Sequence, residues 1–358
     1  MHKLISIGAL AVLGLLASNV AADNPPSPTS INIIQLNCLA PSWADPIYYP
    51  GVPVADLDRG SRATLERAFF ISQAPTADAF TMQELNDPEF GFFYCGCDTA
   101  CIAAYVSPQV DPVRISLGFP PVGPARACSI SAAPPQTGLY HQGFTCFMSH
   151  HDPTYWTARW TTPQTPWEPN GNGACVKTST ITPLAFSDVP LTSDGNHAVY
   201  MTGALSTNPS QPVRLWSIHL DSDHDYNRQA ELGALLSQFA LVNGAIDFIA
   251  GDFNTDTGSS NIADEVRTAS FIDISEYLGT ESLTHPYTDK FYHRAENEQI
   301  LAHVLVRGAT PSIGQVLDLG AMALYPEAQY TNNDVPRIIY DLTHLGSDRF
   351  ALQGAATK

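Results

Sequence analysis

Residues 245–254 read AIDFIAGDFN. Ile246, Phe248 and Ile249 make an apolar, branched and aromatic run that reads as a buried strand. It stops at Gly251, Asp252 and Asn254, which place a carboxylate and an amide at the strand's tip. The same pattern recurs along the chain. Asn37 follows INIIQL, TMQ leads into Glu84, WSIHLDSD carries His219, and Ser347 precedes Asp348 near the end. One polar residue after a strand is ordinarily a capped turn or a solvated loop end. Several of them, each just past an apolar strand, gather carboxylates, amides and an imidazole at one edge of a fold.

Working outward, GACVKTSTITPLAFS, NHAVYMTGAL, QPVRLWSIHL, ILAHVLVRG and RFALQG read as further strands. YNRQAELGALLSQFALV is the clearest helix, with Leu232, Leu235, Leu236 and Phe239 at i, i+3, i+4 and i+7. RGSRATLERAFFISQA has helical spacing too, with Leu65, Ala68, Phe69 and Ile71 expected on its buried side. Residues 86–172, rich in Pro, Gly and Cys, are expected to form long loops with one or two short strands. No internal repeat and no low-complexity linker is present. Strands alternating with few helices, and polar residues after apolar runs, predict an α/β architecture. Two packed sheets carry helices outside and a site at the strand ends.

The chain has 358 residues, 35 acidic against 17 basic, for a formal charge of -18. That balance argues against charge-driven binding to nucleic acid or anionic lipid, which needs clustered Lys and Arg. It leaves room for a nuclease whose local positive charge comes from a metal ion. Residues 1–22, MHKLISIGALAVLGLLASNVAA, have a basic start, a short apolar run and small residues at the end. They read as a secretory signal peptide, so export is expected, with residues 23–358 as one domain. No stretch is long enough for a stable membrane span. Seven cysteines follow the leader. In an exported chain they fit loop disulfides, with at least one thiol left over. The YCGCDTAC cluster also fits a zinc knuckle completed by Cys128, Cys146 or a histidine.

The strand-tip residues suit a hard cation such as Mg²⁺ (or Mn²⁺). It takes oxygen from one or two carboxylates and leaves the rest to water and substrate phosphate. Glu84, Asp252 and Asp348, with the amides of Asn37 and Asn254, supply such a set. There is no HExxH and no dense His/Cys cluster of a zinc hydrolase.

Taken in order, QLNCLA, MQE, IHL, GDFN and SDRFAL resemble the endonuclease/exonuclease/phosphatase superfamily, over nearly the whole mature chain. NCLAPSWADPIYYP, the helix with Arg62 and Arg67, and NGACVKTSTI look most like its deadenylase-like and sphingomyelinase-like branches. The resemblance implies a DNase I-like four-layer sandwich of two mixed β-sheets flanked by helices. It implies metal binding at Glu84, with Asn37 beside it and Asp348 next to the metal. His219 would contact the phosphate and Asn254 would hold the phosphate or the water. Asp252 would orient or deprotonate that water, which attacks phosphorus in line. The substrate would be a phosphate ester, whether nucleic acid, phospholipid or small molecule. The aromatics Trp156, Trp160 and Trp167 would touch it or cover the core.

Two positions depart from the family. Its last motif reads Ser-Asp-His, and here Arg349 follows Asp348. Its preceding strand carries an Asp that holds that His, and here Ala302 stands there. Both ends of one hydrogen bond are gone together. Arginine cannot act as a base at neutral pH, although its guanidinium can bind phosphate. The expectation is a slower phosphoesterase, with a catalytically inactive binding protein as the alternative. Among substitute imidazoles, His303 would face the other side of its strand, while His224, His285 and His344 lie on predicted loops. The pair His150-His151 is expected to point apart.

Overall fold

The strands at the centre of the molecule come in two parallel pairs, each joined through a helix. In the computed structural model, the residues described are 29–42, 44–46, 49, 52–131, 135–152, 168–191, 195–238, 242, 244–255, 262–280, 301–317 and 351–358. In the first unit β1 (Ser30–Asn37) leads through α1 (Arg59–Gln73) into β2 (Ala79–Asn86), which lies parallel to β1. In the second, β7 (Asn208–His219) leads through α6 (Asp225–Gln238) into β8 (Ile246–Asp252), again parallel. A parallel pair needs such a crossover. It also brings the carboxyl ends of both strands to the same edge.

Antiparallel strands complete each sheet. These are β3 (Phe144–Met148), β4 (Asn170–Lys177), β11 (Thr310–Leu317) and β12 (Ala351–Thr357) in one. In the other they are β5 (Ile181–Pro190), β6 (His197–Leu205), β9 (Ile272–Asp273) and β10 (Ala302–Arg307). The sheets run β11–β12–β1–β2–β4–β3 and β5–β6–β7–β8–β10–β9, six strands each among the described residues.

Period-two alternation separates three cores. Ile31, Ile33, Val213, Leu215, Phe248, Ala250, Val304 and Val306 fill the space between the sheets. Ile34, Leu36, Phe80 and Met82 face outward under α1 and the helices that follow β2. Trp216, Ile218, Ile249 and Leu305 face outward on the second sheet, against Leu232 and Leu235 of α6. Helices, sheet, sheet and helices form four layers, as the sequence pattern predicts.

Several expectations need correction. Residues 86–172 are helical over much of their described length. α2 (Asp87–Cys95), α3 (Thr99–Cys101), a π-helical turn at Ile102–Val106, α4 (Ser107–Ser116) and α5 (Gly123–Cys128) follow one another. The prolines misled because Pro88, Pro108 and Pro124 sit in first turns, where the missing N–H costs nothing, and α4 also accommodates Pro112 in its interior. Short helix α7 (Ala263–Thr268) packs on the outer face of the second sheet, and α8 (Ile274–Leu278) bridges the two sheets, against β11 of the first and β10 of the second. The buried face of α1 is also rotated from the expected one. It comprises Arg62, Ala63, Glu66, Phe69 and Phe70, while Ala68 is exposed. The Arg62 guanidinium donates to the carbonyl of Leu39 at 2.9 Å and lies 3.7 Å from Glu66. A charge is tolerated inside because it is paired and hydrogen-bonded.

The cysteines form disulfides, and the zinc-knuckle reading fails. Cys95–Cys101 and Cys97–Cys128 staple the helical segment, and Cys146–Cys175 joins directly opposed residues of β3 and β4. The last is a cross-strand bridge instead of a loop bridge. Cys38 is the buried free thiol, and burial, reinforced by Glu66, Glu89 and Glu84, pushes it well above the ordinary thiol range. Trp156, Trp160, Trp167, Phe239 and residues 1–22 lie outside the described residues. Among the described residues no helix is long and apolar enough to cross a membrane.

Candidate active site at the strand tips

β1, β2, β7 and β8 all end at one edge, and each delivers one polar side chain there. On β8, Asp252 follows the inward series Ile246, Phe248, Ala250 and is fully buried. Gly251 makes this tip possible, since a Cβ there would lie 2.0 Å from the Ile218 carbonyl oxygen. His219 stands beside Asp252 in the parallel register of β7 and β8, with Nε2 3.9 Å from Asp252 Oδ2. Asn254, at φ +51°, donates from Nδ2 to the Leu220 carbonyl (2.8 Å) and from its backbone N–H to Asp252 Oδ1 (2.9 Å). The GDFN turn is thereby fastened to the end of β7.

Glu84 arrives by a different route. Strict alternation after Gln83 would turn it outward with Phe80 and Met82. A register shift between Met82 and Leu85 and a left-handed φ of +55° bring it to the edge. Bulges of this kind re-aim side chains beside functional sites. Its Oε2 accepts from the Ala40 N–H at 3.0 Å, and its Oε1 from Asn37 Nδ2 at 2.7 Å. Asn37 Nδ2 also donates to Asp252 Oδ2 at 2.9 Å, while its Oδ1 accepts from the Leu39 N–H at 3.0 Å. The Leu39 N–H needs an acceptor, so the amide orientation is set. Asn37 presents nitrogen, not oxygen, to the two carboxylates.

Glu84, His219 and Asp252 each offer a ligand atom within 4.8 Å of the others. Two carboxylates at about that distance repel by roughly 3 kcal/mol at an effective dielectric near 20. Asn37 offsets part of this. The two acidic side chains and their oxygen donors fit a hard divalent cation. Asp348 and Arg349 lie outside the described residues. Ala302 is at the site: it is directly opposite Asp252 in the β8–β10 register and buried. A methyl group therefore faces the carboxylate from the neighbouring strand.

The other histidines divide. His303 faces away, as alternation predicts, with Nδ1 2.6 Å from Asp273 Oδ2 and Nε2 3.0 Å from the Thr255 carbonyl. His224 is exposed at the start of α6. His285 and His344 lie outside the described residues. His150 and His151 do point apart. His150 Nε2 lies 2.6 Å from Asp87 Oδ1. His151 is buried, and its ring lies 6.2 Å from that of His219 at an interplanar angle of 66°. Burial, with His219, His197 and His150 nearby, holds its imidazole well below the ordinary histidine value. Sequence reasoning missed His151 as a neighbour of the site. The available signal was its position just past the strand TCFM, the same strand-tip pattern found elsewhere.

Two six-stranded mixed sheets flanked by helices are the DNase I-like fold seen in solved endonuclease/exonuclease/phosphatase proteins. Among solved structures, the human nocturnin catalytic domain with bound sulfate anion is similar at 13% identity and a TM-score of 0.55, covering 92% of this chain and 95% of that one. ANGEL2, described as a 2',3'-cyclic phosphatase, is similar at 12% identity and a TM-score of 0.55, with coverage of 92% and 95%. An endonuclease/exonuclease/phosphatase from Bacteroides vulgatus is similar at 10% identity and a TM-score of 0.53, with coverage of 92% and 98%. At such identities the likeness shows the fold. No protein-family model and no curated protein matches the sequence.

Proposed function

We propose that the chain is an exported, divalent-metal-dependent phosphoesterase that directs water onto the phosphorus of a phosphate ester. The observation carrying this reading is the convergence of Glu84, His219 and Asp252 within 4.8 Å at the tips of three strands. Mg²⁺ or Mn²⁺, held by Glu84 with Asp348 nearby, would supply Lewis-acid polarisation of the phosphate and a template for in-line attack. Asp252 orients the attacking water. Its carboxylate is buried and held by Asn37 and the Asn254 N–H, so it needs little reorganisation when charge moves. His219, partly open to solvent beside it, donates to the phosphoryl oxygens. Asn254 holds the turn that carries Asp252, and Arg349 binds phosphate. The signal-peptide pattern of residues 1–22 and three disulfides support an oxidising, extracytoplasmic setting. The likeness to a nocturnin domain that binds a sulfate anion and to ANGEL2, a 2',3'-cyclic phosphatase, supports a phosphate-ester substrate.

One observation favours a second reading. The Ala302 methyl faces Asp252 where the family resemblance implies an Asp, so the chain would be a phosphate-binding or protein-binding relative without turnover. Purified protein with Mg²⁺ or Mn²⁺ separates the two, using DNA, RNA, sphingomyelin and simple phosphodiesters as substrates. Product release that chelation and Glu84→Ala both abolish supports the enzyme. Tight phosphate-ester binding without any product supports the second reading.

A further inference from the structure

We propose that His151 is a positioning residue of this site, holding the His219 imidazole in register with Asp252. In its kinetic consequence the proposal rests on the phosphoesterase reading; in its structural content it stands alone.

His151 is fixed from both sheets. On the first, the β3–β4 ladder continues past β3, with the Ser149 N–H on the Asn172 carbonyl (2.8 Å) and the His151 N–H on the Asn170 carbonyl (2.9 Å). The strands are pressed together here, because a Cβ on Gly171 would lie 2.0 Å from the Ser149 carbonyl oxygen. On the second sheet, the Asp152 N–H donates to the Gly195 carbonyl (2.7 Å), and the His197 N–H at the start of β6 donates to His151 Nδ1 (3.1 Å). That last bond sets the ring's rotation and leaves its proton on Nε2. His150 is anchored elsewhere, with its Nε2 2.6 Å from Asp87 Oδ1.

The ring so fixed lies edge-to-face against His219 at 6.2 Å, within the range in which aromatic pairs hold one another's orientation. His219 thus has two fixed neighbours, His151 at its ring and Asp252, whose Oδ2 lies 3.9 Å from its Nε2. An imidazole at a strand tip, partly open to solvent, has several rotamers open to it. Packing on an immobile neighbour leaves few. Orientation matters to the chemistry, since a misplacement of about 1 Å can cost as much as 10²-fold in rate.

The test compares His151→Asn, whose Oδ1 can still accept from the His197 N–H while the ring is lost, with His151→Phe, which keeps a ring against His219. Each is read by kcat and KM and by the imidazole ¹H–¹³C spectrum of the metal-free protein. His151→Asn is expected to lower kcat about tenfold to a hundredfold with KM within twofold, and to shift or broaden the His219 Cε1–H signal. His151→Phe is expected to recover most of both. A wild-type kcat and an unmoved His219 signal in His151→Asn overturn the proposal, as does a change confined to KM. If the wild-type protein turns over nothing, the hydrolase reading fails and the His219 signal alone decides the positioning role. If the variants do not fold, the wild-type spectrum decides. A cross-relaxation signal between the His151 and His219 rings, with an acceptor-type Nδ1 on His151, is expected, and absence of either overturns it.

Discussion

Asn37 Nδ2 donates at once to Glu84 Oε1 (2.7 Å) and to Asp252 Oδ2 (2.9 Å), joining the two sheets across the candidate active site. Hydrogen bonds to charged groups contribute about 1.5–3 kcal/mol each, and losing the donor leaves two carboxylates facing each other. Asn37→Ala is expected to destabilise the metal-free protein by about 2 kcal/mol in urea denaturation. Excess Mg²⁺ or Mn²⁺ should recover part of that loss. Loss of hydrolysis without loss of stability would place Asn37 on the substrate and not between the carboxylates.

Ala302 and Arg349 are expected to behave as one unit. Restoring the pair with Ala302→Asp and Arg349→His should raise kcat by about 10²–10⁴, the usual worth of general acid–base help. Each single change should do much less. Ala302→Asp alone sets a new carboxylate opposite Asp252, where like charges repel. Additive effects of the two single changes would show that the positions are not coupled.

Gly251→Ala should be among the most damaging single-methyl changes in the chain. The added Cβ meets the Ile218 carbonyl oxygen at 2.0 Å in the parallel β7–β8 pair, so a strand must move. A loss of about 3 kcal/mol or more is expected, a size reserved for core and backbone strain. His219 and Asp252 would lose register together. Thermal unfolding within about 1 °C of wild type would refute the packing described.

Glu168 ties three arginines, with Arg126 at 2.6 Å, Arg59 at 2.8 Å and Arg114 at 3.5 Å. Burial alone would raise its carboxyl, but the guanidiniums of Arg59, Arg114 and Arg126 outweigh burial and hold it below the usual range. Its folded value therefore lies below the unfolded one of about 4.3. Its contribution is complete above that pH and is lost as pH falls through the lowered value. Glu168 and two of its partners are partly exposed, so Glu168→Gln should cost about 1–2 kcal/mol at pH 7, between the worth of exposed and buried pairs. The gap to wild type should close as denaturation is repeated below pH 4. A gap that stays constant with pH would mean the ion pairs contribute nothing.

Much of the site was legible because a strand's alternation announces its faces. From Ile246 to Asp252 and from Val213 to His219 the inward residues can be counted off by twos, and both counts end on a residue of the candidate site. The same counting sent His303 away from the cleft. It failed at Glu84, whose positive φ and local bulge break the period; only the residue's chemistry pointed to it. It failed again on α1, where Arg62 and Glu66 are buried as a pair that hydrophobic spacing does not register. Proline content misled over residues 87–128, because three of the prolines start helices, where they cost nothing, and α4 carries Pro112 in its interior regardless.

Local order along the chain thus determined which side chains stand at strand tips, and with them the two-sheet architecture. Strand periodicity and helix spacing act between residues a few positions apart. Tertiary structure alone decided that Asn37 would meet Asp252 over a separation of 215 residues, and that His151, not His150, would lie against His219. Those contacts depend on how two twisted sheets settle against a shared core. That packing sums many small long-range terms, and no local pattern in the sequence records it.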